Sequence, residues 1–112
     1  MNINVNSIHF NADQKLIDFA TKKTGKLDTL FEGIISAEVI LKLVKPETAN
    51  NKLAEIKLSM PRNDLFAKKQ ADTFEEAIDL SIDALKKQLS KFKEKLREKN
   101  NIEKRSGKGV EE

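Results

Sequence analysis

Residues 52–95 read KLAEIKLSMPRNDLFAKKQADTFEEAIDLSIDALKKQLSKFKEK, and within them one periodicity replaces another. Over residues 52–60, Ala54, Ile56, Leu58 and Met60 alternate with Glu55, Lys57 and Ser59, the period-two pattern of a strand with one buried face. PRND at 61–64 is a tight turn, and residues 65–70 are read as a further strand. Thr73 and Glu76 then form a capping box. Beyond it Phe74, Ile78, Ile82, Leu85, Leu89, Phe92 and Leu96 step by fours and threes along a helix reaching about residue 99. A strand pair followed by a long one-sided helix asks for a sheet with a helix laid on it.

The rest of the chain completes that plan. Ile3, Val5 and Ser7 alternate with Asn2, Asn4 and Asn6, so residues 2–7 read as a strand. Asn11 is the expected N-cap of a helix over residues 12–31, with Gln14 at its third position and Gly33 as its stop. Its apolar side carries Leu16, Ala20, Leu27 and Phe31, helped by Ile17 and Leu30. Residues 36–45, rich in Val, Ile and Leu, form a second strand, and residues 46–51 a polar turn. The order is β-α-β-β-β-α. A strand–helix–strand opening places the first two strands parallel, and short turns make the later ones an antiparallel meander. Each strand has one apolar face, so both helices are expected on the same face of a four-stranded sheet: an α+β two-layer sandwich. Residues 1–99 make one domain, and 100–112, aperiodic with two glycines, are expected to be a disordered tail.

The chain has no cysteine, which excludes disulfides and thiolate metal sites and fits a reducing cytosol. The start of the sequence lacks the basic and apolar regions of a signal peptide, and no apolar run approaches the ~20 residues of a membrane span. His9 is the sole histidine and is read as a strand-end residue, so neither a His metal cluster nor a catalytic triad is expected. GKG at 107–109 lacks the spacing of a phosphate loop. Asp72, Glu75, Glu76, Asp79 and Asp83 read as acidic residues favoured near the positive end of the second helix. The expectation is a protein without metal, cofactor, small-molecule substrate or enzymatic activity.

Charge is the positive signal. Residues 1–85 carry 11 basic and 13 acidic groups, whereas residues 86–108 carry 10 basic and 3 acidic. Such asymmetry points to an anionic partner for the basic end. At 100° per residue, with Leu85 facing the core, Lys86, Lys93 and Arg97 fall on one flank of the apolar seam and Lys87, Lys91 and Lys95 on the other. On the first helix Lys15, Lys22 and Lys26 form a third stripe. Lys91–Lys95 and Lys93–Arg97 are like-charge pairs at i,i+4, so helix stability does not explain the pattern. Rows of lysine one turn apart suit a phosphate backbone, read by charge and shape rather than by base. The outer sheet face, with Asn2, Asn4, Asn6, Glu55, Lys57 and Ser59, is expected to offer no aromatic platform for unpaired bases.

The element order, KKTGKLDTLF at 22–31 and FEEAIDLSIDALKKQLSKFKEK at 74–95 resemble the family of hibernation-promoting factors and ribosome-associated inhibitors. Phe74, then Ala77-Ile78-Asp79, then Leu85 through Lys93 match its pattern, although Phe74 and two glutamates stand where a Tyr is usual. The resemblance spans roughly residues 1–97 and is to the short form, without an appended dimerisation domain. It implies a cytoplasmic factor, monomeric away from the ribosome, that binds the small ribosomal subunit and its rRNA where mRNA and tRNA sit. Translation is then inhibited and idle ribosomes are preserved under starvation or stress, as in stationary phase. By resemblance the RNA-contacting positions are Lys23, Lys26, Lys87, Lys91, Lys93 and Lys95; the stripes add Lys22 and Lys86 to the candidate set. The alternatives are a generic double-stranded RNA-binding module, which shares the sheet-plus-two-helices plan, and a coiled-coil interaction helix.

Overall fold

A computed structural model describes residues 1–44, 50–61 and 63–105, with side chains described through residue 95. Strand β1 (Asn2–Ile8) is followed by helix α1 (Gln14–Gly25), then β2 (Ser36–Leu43), β3 (Lys52–Ser59), β4 (Asp64–Ala71) and helix α2 (Phe74–Arg105). The strands lie in the order β1-β2-β3-β4, with β1 and β2 parallel and the other pairs antiparallel. This is the mixed four-stranded α+β sandwich that the two periodicities imply. Most of the expected turn at 46–51, and Arg62 of the PRND turn, lie outside the described residues.

Register explains why one face is dry. Ile3 pairs with Ala37 and Val5 with Val39, while Val39 also sits opposite Ile56, and Ile56 opposite Ala67. Directly paired side chains share a face, so these rows stack into a single apolar floor. Leu16, Ala20 and Leu27 on one side, and Ile78, Ile82, Leu85 and Leu89 on the other, close over it in one continuous core. Ser81, fully buried in α2, donates its hydroxyl to the Ala54 carbonyl at 3.3 Å, so that polar group is satisfied.

The first helix departs from expectation at both ends. Its N-cap is Asp13, whose carboxylate accepts from the Leu16 amide at 2.8 Å, two residues later than the expected Asn11. Gln14 is therefore the first helical residue and bonds Asp18 instead of closing a capping box. The helix ends at Gly25 and tightens into a 3₁₀ turn, Lys26–Thr29, rather than running to residue 31. Gly33 lies beyond that end and has a different role. A methyl group added there would lie 2.5 Å from the Phe31 ring, which sits edge-on to Phe92.

Thr24 is fully buried, and among the described residues its hydroxyl has no hydrogen-bond partner. An unmet buried hydroxyl carries its desolvation cost with nothing in return. Thr24→Val keeps the β-branched shape and removes that cost, so it is expected to stabilise the fold by about 1 kcal/mol, read as a higher urea midpoint at unchanged slope. A lower midpoint would show that the hydroxyl is satisfied.

Helix α2 opens as expected, with the Glu76 amide donating to the Thr73 hydroxyl at 3.1 Å. It continues to Arg105, past the expected end near 99. The physical reason is the absence of any Gly or Pro between Thr73 and Ser106. Of the expected disordered tail, residues 106–112 lie outside the described residues.

Candidate nucleic-acid interface

The lysines grouped in the sequence separate into two places once α1 and α2 lie side by side. Lys23 and Lys26, near the end of α1, face Lys86 of α2 across a groove of about 300 Å³, whose lining is completed by Asp79, Ile82 and Asp83. Lys86 and Lys93 share the flank of α2 turned toward α1. Lys93 reaches the end of the 3₁₀ turn, where its ammonium donates to the Leu30 carbonyl at 2.8 Å. Lys87, Lys91 and Lys95 stand exposed on the opposite flank, and among the described residues none of them has a carboxylate within ion-pair distance. Lys22 is exposed and does not line the groove.

Lys23, a position given by the family resemblance and not by the stripes, has an acidic partner. Its ammonium is 3.4 Å from an Asp79 carboxylate oxygen and 5.5 Å from the centroid of the Phe19 ring. Asp79 and Asp83, read from the sequence as helix-start acids, are one turn apart and turned into the groove. Their i,i+4 spacing was the available signal. Both Lys23 and Asp79 remain at least a third exposed, so the pair contributes ~0–1 kcal/mol to the fold. Its importance is local: it fixes where the Lys23 charge sits. Asp72, from the same acidic group, has a separate task and accepts from the Asn50 amide at 2.9 Å.

The outer face of the sheet also differs from expectation. Leu65 and Ala67 point inward, so alternation turns Phe66 outward, half exposed and paired opposite Lys57. One ring therefore stands where none was expected. Sheet-based readers of single-stranded RNA stack bases on two or three rings, so a lone Phe66 leaves the helices as the stronger contact surface. Gln88 holds the edge beneath it, donating to the Phe66 carbonyl at 2.9 Å.

The class of protein that the fold defines is a mixed four-stranded α+β sandwich with two lysine-bearing helices on one face of the sheet. The family model described as "Sigma 54 modulation protein / S30EA ribosomal protein" matches residues 3–97, and the chain belongs to that family. It is 30% identical over 95 residues to the ribosome hibernation promoting factor of Pseudomonas putida, covering 85% of this chain and 89% of that protein. With the ribosome hibernation promotion factor of Bacillus subtilis it shares 28% identity over 101 residues, which is 88% of this chain and 52% of that one. The fold matches a ribosomal subunit interface protein from Coxiella burnetii with a TM-score of 0.74 at 22% identity, over 83% of this chain and 98% of that one. It matches the N-terminal domain of Thermus thermophilus Protein Y with a TM-score of 0.70 at 26% identity, over 82% and 99% of the two chains.

Proposed function

We propose that this protein is a ribosome hibernation factor that binds the small ribosomal subunit at the mRNA and tRNA channel and inhibits translation while idle ribosomes are preserved under starvation or stress. The observation that carries the reading is the exposed row Lys87, Lys91 and Lys95, without carboxylate partners among the described residues, beside a second basic cluster at the α1–α2 groove. Ribosomal RNA offers phosphates at the spacing such rows require, and each neutralised phosphate releases counter-ions. Lys22, Lys23, Lys26, Lys86, Lys87, Lys91, Lys93 and Lys95 form the contact set. The role needs no bond to be made or broken: the bound domain excludes mRNA and tRNA by occupying their place, in the cytoplasm. No described helix is long and apolar enough to cross a membrane.

Co-sedimentation with purified small subunits, large subunits, whole ribosomes and a plain RNA duplex tests the reading. Preference for the small subunit and whole ribosome is the expected result. Equal binding to the duplex would assign a generic double-stranded RNA-binding module instead.

The ribosome-binding unit in this proposal is residues 1–99. Among the residues whose side chains are described, Leu89 is the last fully buried one of α2, and Phe92 is only partly covered. Removing residues 101–112 is expected to change stability by no more than about 0.5 kcal/mol and to leave small-subunit binding intact. A large loss of either would place a contact beyond residue 100.

A further inference from the structure

Strand β1 is an edge strand and lacks the protections edges usually carry. Asn2–Ile8 contains no charged residue, no Pro and no bulge. The other edge, β4, carries Asp64, Lys68 and Lys69 and has the Phe66 carbonyl covered by Gln88. Charge and side-chain cover are how sheets keep their edges from pairing. In a chain in which 35% of residues are charged, a bare seven-residue edge is a distinct feature.

The bare strip continues onto the helix above. A methyl group added at Gly25 would lie 3.7 Å from Ile3 Cδ1, and the Met1 ammonium is 3.5 Å from Asp28. The flank of α1 that carries Gly25, and Asp28 in the 3₁₀ turn that follows it, therefore overhang β1. Helical geometry adds Ile17 and Thr21 to the same flank, one turn apart. Thr21 bonds its hydroxyl back to the Ile17 carbonyl at 2.8 Å, which leaves its methyl outward. Lys23 and Lys26 lie on the other flank, facing α2. Ile17, Thr21 and Gly25 thus form a narrow ridge above an uncharged strand, with the Asp28 carboxylate at its end beside the Met1 ammonium.

The strand is also complementary to itself. Asn2 donates its amide to the Ile35 carbonyl on the β2 side. By alternation Ile3, Val5 and Ser7 turn their amides and carbonyls to the free edge. A two-fold axis through Asn4 sets Ile3 opposite Val5 of the second copy as hydrogen-bonded pairs. Asn2 then meets Asn6, and Asn4 meets its own copy, with no like charges opposed. We propose that two copies of this chain pair antiparallel through β1, joining their sheets into eight strands and bringing the two α1 ridges together. The basic face of α2 lies away from this edge and stays open. This departs from the monomer expected from the sequence and is independent of ribosome binding.

The test uses the isolated protein. In sedimentation equilibrium the mass is expected to rise with concentration from 12.7 kDa toward twice that value. Asn4→Lys opposes two cations at the axis and is expected to hold the mass at 12.7 kDa with an unchanged circular dichroism spectrum. Because the chain has no cysteine, Asn4→Cys introduces a single thiol. Non-hydrogen-bonded antiparallel pairs have Cα atoms about 4.5 Å apart, within disulfide range. Diamide, which oxidises two thiols to one disulfide, is expected to cross-link it at least tenfold faster than the exposed control Ser90→Cys. A wild-type mass independent of concentration overturns the proposal, and so does capture of an extended peptide without self-association. Association that survives Asn4→Lys, or equal cross-linking at the two cysteines, overturns it as well.

Discussion

Replacing Lys87, Lys91 and Lys95 together by Gln is expected to flatten the plot of log affinity for the small ribosomal subunit against log salt by roughly 2–3 units. Each phosphate contact contributes about 0.7–0.9 to that slope, equivalent to a factor of roughly 5–8 in affinity at 0.1 M salt relative to 1 M. Three lost contacts thus weaken binding about 100- to 500-fold at 0.1 M. The side chains are exposed and lie off the buried seam, so the melting temperature is expected to stay nearly constant. Glu at the same positions turns three attractions into repulsions and weakens binding further. If the Gln protein keeps both affinity and slope, this row faces solvent on the ribosome and the groove flank carries the contact.

Leu89→Ala is expected to have the largest effect on the fold. Leu89 is 1% exposed and belongs to the core under α2, where it lies between the Leu85 turn and the partly covered Phe92. Truncation there costs about 2–5 kcal/mol, from lost transfer energy and the cavity left behind. For a domain of this size each kcal/mol lowers the melting temperature by roughly 4–8 °C, so a fall of at least about 10 °C is expected. The folded fraction should keep the wild-type salt slope, because no cation has been touched. A changed slope would mean that the core and the basic rows are not separable.

The sheet and α2 were legible because their periodicities are long and unambiguous. Ala54, Ile56 and Leu58 can face only one way, and Ile78, Ile82, Leu85 and Leu89 define one stripe. The start of α1 was not, since Asn11 and Asp13 are both good caps and only the Leu16 amide decides between them. Thr24 reads as polar in sequence but lies at the centre of the buried side, where neighbours on another element set its environment. The lysine set and its division between the two flanks of α2 were visible in the sequence, but the meeting of the α1 and α2 rows across one groove was not. Whether Lys23 faces Asp79 or open solvent depends on how α1 and α2 lie together, more than fifty residues apart in sequence. Phe66 follows from strict alternation with Leu65 and Ala67, but KKQ after Ala67 breaks the apolar pattern that tells the inward face from the outward one in β3.

The Lys23–Asp79 contact has a consequence for what the groove will accept. Elsewhere on these helices a lysine sheds soluble ions when a phosphate arrives, and the solution gains their entropy. Lys23 instead holds a counter-ion tethered to the same chain, 3.4 Å away. A visiting anion must evict that carboxylate, and the evicted group stays in the groove beside Asp83 and pushes back. Under the proposed function the contact is an exchange: a single carboxylate is expected to gain little over Asp79, whereas a dense run of phosphates, which engages the neighbouring lysines as well, is expected to displace it.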